Sequence, residues 1–157
     1  MAAQINRTRR WLLIGGGAAL AAGIAIREYR LIPEAHAGQK ITVAQAHEQA
    51  ARGDILLVDI RTPNEWQASG VAEGAVPLDM RRDDFEAALG DLVDGDQGAA
   101  IALICARGVR SARLTNRLIE AGFTNIIDVP EGMLGSAAGP GWVRAGLPVL
   151  DFDEDMG

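Results

Sequence analysis

From Thr42 onward, short apolar runs alternate with stretches whose apolar positions recur at helical spacing. The stretch "ITVAQAHEQAARGD" opens on Thr42 with Gln45 three residues later, a capping-box pattern. Val43, Ala46 and Ala50 give it a weak apolar face that Gly53 closes. "ILLVDI" (55–60) is a run of branched residues of strand length and predicts a buried strand. "TPNEWQAS" reads as a turn into a short helix. "GAVPLDM" predicts a brief strand that Pro77, lacking an N–H to donate, pushes toward a sheet edge. "RDDFEAALGDL" places Phe85, Leu89 and Leu92 on one helical face. After the loop "DGDQGA" comes "IALIC" (101–105), a second buried strand. "SARLTNRLIEAGF" follows as the clearest helix, with Leu114, Leu118 and Ile119 on a shared face and Gly122 at its end. "NIIDV" (125–129) is a third strand, and strand, helix, strand in this order predicts a βαβ unit in a parallel sheet. The Gly- and Pro-rich tail offers Trp142 and Leu147 as packing anchors.

The pattern before Gly38 is of another kind. Arg7, Arg9 and Arg10 precede an apolar run from Trp11 to Ile26, and Ala35-His36-Ala37 has the small-residue form of a signal cleavage site. Arg9-Arg10 ahead of a Gly- and Ala-rich, mildly hydrophobic segment predicts a twin-arginine export signal. The rival expectation is an uncleaved anchor through residues 11–26, which as a helix rises roughly 24 Å against a hydrocarbon core of ~30 Å. Both place the body outside the cytoplasm, in the periplasm or cell envelope, with cleavage the expected outcome. The organisation is therefore 1–37 as signal or anchor, 38–150 as one domain, and 151–157 as a frayed acidic tail.

Composition narrows the function. Net charge is −6, yet residues 1–37 hold five arginines against two glutamates, and the remainder ten basic against nineteen acidic side chains. A body this acidic lacks the basic footprint that nucleic acid requires. A single cysteine rules out an internal disulfide, a Cys-x-x-Cys pair and a cysteine zinc site. His36 and His47 have no ligand-spaced partners, so neither a metal nor another cofactor is expected, and His47 reads as a solvent-facing helix residue.

That cysteine, Cys105, ends the second buried strand. One reading is a buried core thiol, since free cysteine is among the most buried residue types. The other is a nucleophile. The loop Cys105-Ala106-Arg107-Gly108-Val109-Arg110 leads into a helix that Ser111 would open as its N-cap. Several successive loop N–H groups are expected to point inward over the sulfur like a nest, the helix N-terminus adds partial positive charge, and Arg107 and Arg110 add two cations. All three favour a thiolate and would hold a small anion beside it. Asp59 and Arg61, at the end of the first long strand, read as a structural pair that holds the surrounding loops; Glu65 and Trp66 read as capping and packing groups.

Three stretches together resemble single-domain rhodaneses, a sulfurtransferase family, over nearly all of residues 40–150. "LLVDIRTPNEWQASGVAEGAVPLDM" is similar to the family's Asp-x-Arg and Gly-Ala run, "ICARGVRSA" to its catalytic Cys-x-x-Gly-x-Arg-Ser loop, and "EGMLGSAAGPGWVRAGLPV" to its closing Gly, Trp, Gly-x-Pro-Val segment. The resemblance implies an α/β fold with a five-stranded parallel sheet flanked by helices on both faces. It implies a persulfide on Cys105, with Ala106, Arg107, Gly108, Val109, Arg110 and Ser111 as the substrate-binding loop. The implied partners are a sulfur-containing anion such as thiosulfate or polysulfide and a thiol or protein acceptor. Two departures stand out: Gly70-Val71-Ala72 lacks the family's frequent histidine, and "LGSAAGP" lengthens the closing segment. A Cys-x5-Arg phosphatase would need arginine at position 111, whereas this chain has Arg110 followed by Ser111. A non-catalytic sulfur- or partner-binding module of the envelope, and a purely structural domain, stay open as alternatives.

Overall fold

The apolar runs become the middle of a sheet. The computed structural model describes residues 32–153, so the predicted signal or anchor over residues 11–26 lies outside the described residues. No helix among the described residues is long and apolar enough to cross a membrane. The body from Pro33 on forms one compact unit. Its elements are β1 (Gln39–Lys40), α1 (Val43–Arg52), β2 (Leu56–Asp59), α2 (Pro63–Ser69), β3 (Val71–Ala72), β4 (Ala75–Pro77), α3 (Phe85–Asp91), β5 (Ile101–Ile104), α4 (Val109–Glu120), β6 (Ile126–Asp128) and β7 (Val149–Leu150). Five strands pair in the order β1-β6-β5-β2-β4, every pair parallel, and β3 with β7 makes a small antiparallel ribbon.

The unbroken apolar runs follow from burial on both faces. Successive strand side chains point to opposite sides. Leu57, Ala102, Ile104 and Ile127 join α1, Trp66 and Trp142 on one face, while Val58, Ile101, Leu103 and Ile126 pack with α3 and α4 on the other. Pro77 ends β4 at the sheet edge, where its missing N–H costs no ladder bond. Both α1 and α2 begin with complete capping boxes, Thr42 with Gln45 and Thr62 with Glu65. Gly122 follows the last turn of α4 at φ +101°, and Phe123 N–H donates to the Leu118 carbonyl, a Schellman-type stop.

The structure departs from the pattern reading at several points. Leu92 and Ile119 are exposed rather than core: α3 ends at Asp91, and the buried stripe of α4 runs through Ser111, Leu114, Thr115 and Leu118, about a quarter turn from Ile119. His47 is only partly solvent-facing: one side of its ring packs edge-on against the Trp142 ring at 5.5 Å, and at the surface it hydrogen-bonds Glu73 at 3.2 Å. The acidic tail is not wholly frayed, since Phe152 stacks against Trp66 with ring centres 5.2 Å apart.

Where β2 ends, Arg61 is fully buried. Its Nε donates to both Asp59 oxygens at 2.9 and 3.0 Å, and its Nη2 donates to Asp59 Oδ2 and the Gly70 carbonyl, each at 2.6 Å. Nη1 donates to Ser69 Oγ at 2.7 Å. One guanidinium thus ties the end of β2 to the end of α2. Removing Asp59 strands a buried cation, so Asp59→Ala should cost about 3–5 kcal/mol. Urea unfolding reads this as a fall in midpoint at unchanged slope; a loss below about 1 kcal/mol would contradict the assignment.

Candidate active site

Cys105 stands just past β5, at the carboxyl ends of the parallel strands, where open α/β sheets bind ligands. It is 1% exposed. Gly108 N–H donates to Cys105 Sγ at 3.1 Å, and the thiol donates to Ser111 Oγ at 3.6 Å. The loop is pinned from below: Met133 N–H donates to the Cys105 carbonyl at 2.8 Å and Leu134 N–H to the Ala106 carbonyl at 2.9 Å.

The helix start differs from the sequence expectation, and the difference shapes the site. The N-cap of α4 is Gly108, not Ser111, and it sits in the left-handed region at φ +81°. A side chain there would collide with the Pro130 carbonyl as well as strain the backbone. That conformation is what turns the Gly108 amide onto the sulfur. Ser111 falls in the first turn, fully buried, its hydroxyl donating to the Gly108 carbonyl at 3.2 Å. The hydroxyl therefore lies against the cysteine rather than capping the helix.

The two loop arginines part company. Arg110 is half-buried and donates through Nη1 and Nη2 to the two Glu65 oxygens at 2.8 and 2.6 Å. It lies close enough to Cys105 for a sulfur anion to raise its pKa, although the Glu65 hydrogen bond is the larger cause. Arg107 is exposed and donates from Nη1 to the Gly135 carbonyl at 3.2 Å, anchoring the lengthened "LGSAAGP" segment instead of facing the sulfur. Ala106 in the loop and Val109, the first residue of α4, are half-buried, and Asp59 and Arg61 support the neighbouring loop as described.

Two participants escaped sequence reasoning. Glu65 was legible only as a capping residue, yet the same carboxylate that closes the α2 box clasps Arg110. Glu131, 4% exposed, accepts from Val43 N–H and Gly141 N–H, each at 3.2 Å, and so ties α1 to the closing segment beneath the loop. The only signal for it was an acidic residue three positions past the end of a buried strand, behind Pro130. Among the described residues, no group of three or more His, Cys, Asp or Glu side chains could hold a metal ion.

Arg110, with help from the Thr62 backbone against the cost of burial, lowers the Glu65 pKa from 4.5 to about 2. A depressed carboxylate contributes stability that is present above 4.5 and is lost as pH falls from there through about 2. Wild type and Glu65→Gln should therefore differ in urea midpoint by a constant amount above about pH 5, and the gap should close between 4.5 and about 2. A gap that persists at the acid end would contradict the clasp.

A family model for the rhodanese-like domain matches residues 42–138. An uncharacterized protein of Rickettsia conorii is 28% identical over 121 residues, which cover 70% of this chain and 95% of that protein. The adenylyltransferase and sulfurtransferase MOCS3-2 of Zea mays is 28% identical over 111 residues, 69% of this chain but 22% of the maize protein. The polysulfide-sulfur transferase homodimer of Wolinella succinogenes shares the fold, with a TM-score of 0.55, 22% identity, and coverage of 90% of this chain and 93% of that one. With its parallel sheet and a cysteine loop between strand and helix, the chain belongs to the rhodanese-like domain family.

Proposed function

We propose that the protein is a sulfurtransferase that carries a sulfane sulfur as a persulfide on Cys105. The observation that carries this reading is the Gly108 N–H aimed at Cys105 Sγ at 3.1 Å from the start of a helix. An amide and a helix N-terminus favour sulfur as an anion, and a hydrogen bond to a charged acceptor contributes about 1.5–3 kcal/mol. In the first half-reaction the Cys105 thiolate attacks the outer sulfur of thiosulfate. The S–S bond to Cys105 forms, the bond to the sulfonate sulfur breaks, and sulfite leaves with the electron pair. In the second, a nucleophilic acceptor such as cyanide or a thiolate attacks the terminal sulfur and returns the Cys105 thiolate. The six-residue stretch from Cys105 to Arg110 supports a sulfur rather than a bulkier phosphoryl group, because position 111 is serine.

Arg110 would meet the donor's sulfonate only by sharing its guanidinium with Glu65, which favours small divalent anions over bulky ones. For location, we keep the cell envelope, on the Arg9-Arg10 pair and the apolar run behind it. Retention of the N-terminal segment is favoured over cleavage after Ala37, because Arg113 Nε donates to Glu34 at 3.1 Å and Asn116 Nδ2 to the Ala35 carbonyl at 3.1 Å.

Intact mass tests both statements. The full-length chain incubated with thiosulfate should gain one sulfur atom, lost on adding cyanide and absent in Cys105→Ser. No gain would contradict the transfer reading and leave a binding module. Chain recovered from cells should keep residues 33–37; a mass beginning at Gly38 would overturn retention.

A further inference from the structure

Most of the positive charge on this body is already paired. Among the described residues, every arginine except Arg107 and Arg144 meets a carboxylate at 3.1 Å or less. Arg107 donates to the Gly135 carbonyl at 3.2 Å, and the exposed Arg144 has no ion pair among the described residues. Lys40, the chain's single lysine, stands on β1 at the outer edge of the sheet.

Backbone hydrogen bonds bring the two exceptions to one place. Met133 N–H donates to the Cys105 carbonyl at 2.8 Å, Leu134 N–H to the Ala106 carbonyl at 2.9 Å, and Val143 N–H to the Met133 carbonyl at 3.1 Å. The segments touch, since a Cβ on Gly132 would stand 2.7 Å from the Ala106 carbonyl and the Arg107 nitrogen. The cysteine loop, the lengthened segment and the turn after Trp142 therefore lie side by side, in the order Arg107, Leu134, Val143, Arg144. Leu134 and Val143 are 37% and 44% exposed. The turn is fixed from beneath by Trp142, which is fully buried and donates from Nε1 to the Pro148 carbonyl at 2.7 Å.

A single exposed apolar residue needs no explanation. Here two adjoin next to the cysteine loop, between the two arginines that no carboxylate neutralises. Apolar area edged by arginine is the anatomy of a protein interface. From residue 38 on, ten basic side chains stand against nineteen acidic ones, so the rest of the body repels an acidic partner. Salt screens that repulsion beyond about 8–10 Å, and a local excess of two cations then decides where such a partner lands. Cys105 is 1% exposed, so the partner's nucleophile has to reach the sulfur on a slim arm, which a cysteine side chain on an extended segment supplies.

We propose that Arg107, Leu134, Val143 and Arg144 form the docking surface for an acidic polypeptide segment of the sulfur acceptor. Its carboxylates meet the two arginines, and an apolar side chain covers Leu134 and Val143. This rests on Cys105 as the reacting sulfur. Arg107 is turned to Gly135, so the surface serves the acceptor and leaves the donor to the loop amide and Arg110.

The single cysteine makes the test direct. Two acetylated and amidated peptides, Asp-Asp-Leu-Gly-Cys and Lys-Lys-Leu-Gly-Cys, are activated as pyridyl disulfides and mixed with the full-length chain. The Cys105 thiolate attacks the peptide sulfur, a mixed disulfide forms, and the pyridinethiolate leaves with the electron pair and takes a proton to become the absorbing thione. Net charge of −6 by itself favours the basic peptide. The docking surface reverses this: the acidic peptide should react about tenfold faster at low salt, and the gap should narrow as salt is added. Arg144→Glu should abolish the preference while the rate with neutral dithiodipyridine stays unchanged. Arg144→Gln should slow the acidic peptide by about threefold. Val143→Ser should slow both peptides alike. A basic peptide as fast as the acidic one on wild type, or a preference that survives Arg144→Glu, overturns the proposal. The pyridyl disulfide of mercaptopropionate probes a small anion, and an equal slowing of it by Arg144→Glu would overturn the polypeptide partner. A normal peptide preference without any mass gain from thiosulfate would overturn only the transfer reading.

Discussion

One contact organises this molecule: a peptide N–H held against a cysteine sulfur. It exists because Gly108 occupies a left-handed conformation packed on the Pro130 carbonyl, which no side chain would permit. The turn is supported from beneath by backbone bonds to Met133 and Leu134, and these depend on the closing segment that Trp142 buries in the core. Parallel strands bring the pieces together, since β5 supplies the cysteine and β6, beside it, supplies the supporting chain. The fold thus presents one buried thiol to an oriented dipole, a placement that favours sulfur anions over neutral ligands.

Electrostatics around the sulfur are tightly paired. Arg110 is clasped by Glu65, Arg61 by Asp59, and Arg107 faces a carbonyl. The sulfur consequently relies on the backbone dipole and the start of α4 more than on free cations, and the arginines set the shape and charge of the rim. A site of this kind has little excess positive charge with which to trap large polyanions, which fits the proposed small sulfur donor.

Much of this was legible in the residues because burial on both sheet faces writes itself as unbroken apolar runs. "ILLVDI" and "IALIC" had no other economical explanation, and Thr42 with Gln45 announced the start of α1. Pro77 marked an edge because its chemistry allows little else. What stayed hidden depends on distance in space. β1, β3 and β7 are two residues each, too short for a period to show. The Glu65–Arg110 clasp spans 45 positions and His36–Asp128 spans 92. Ser111 resembled a cap because serine prefers that position, whereas tertiary packing on Pro130 moved the cap to Gly108.

His36 carries the broader lesson: inside Ala-His-Ala it looked like part of a processing signal, and in the fold its side chain is buried against β6. The central claim is that the sulfur travels covalently on Cys105, so donor and acceptor never need to be bound together. Initial rates measured over a matrix of thiosulfate and cyanide concentrations test this most directly. The account predicts parallel double-reciprocal lines, the mark of a ping-pong sequence. Lines that intersect to the left of the axis would require both substrates on the protein at once and would contradict it.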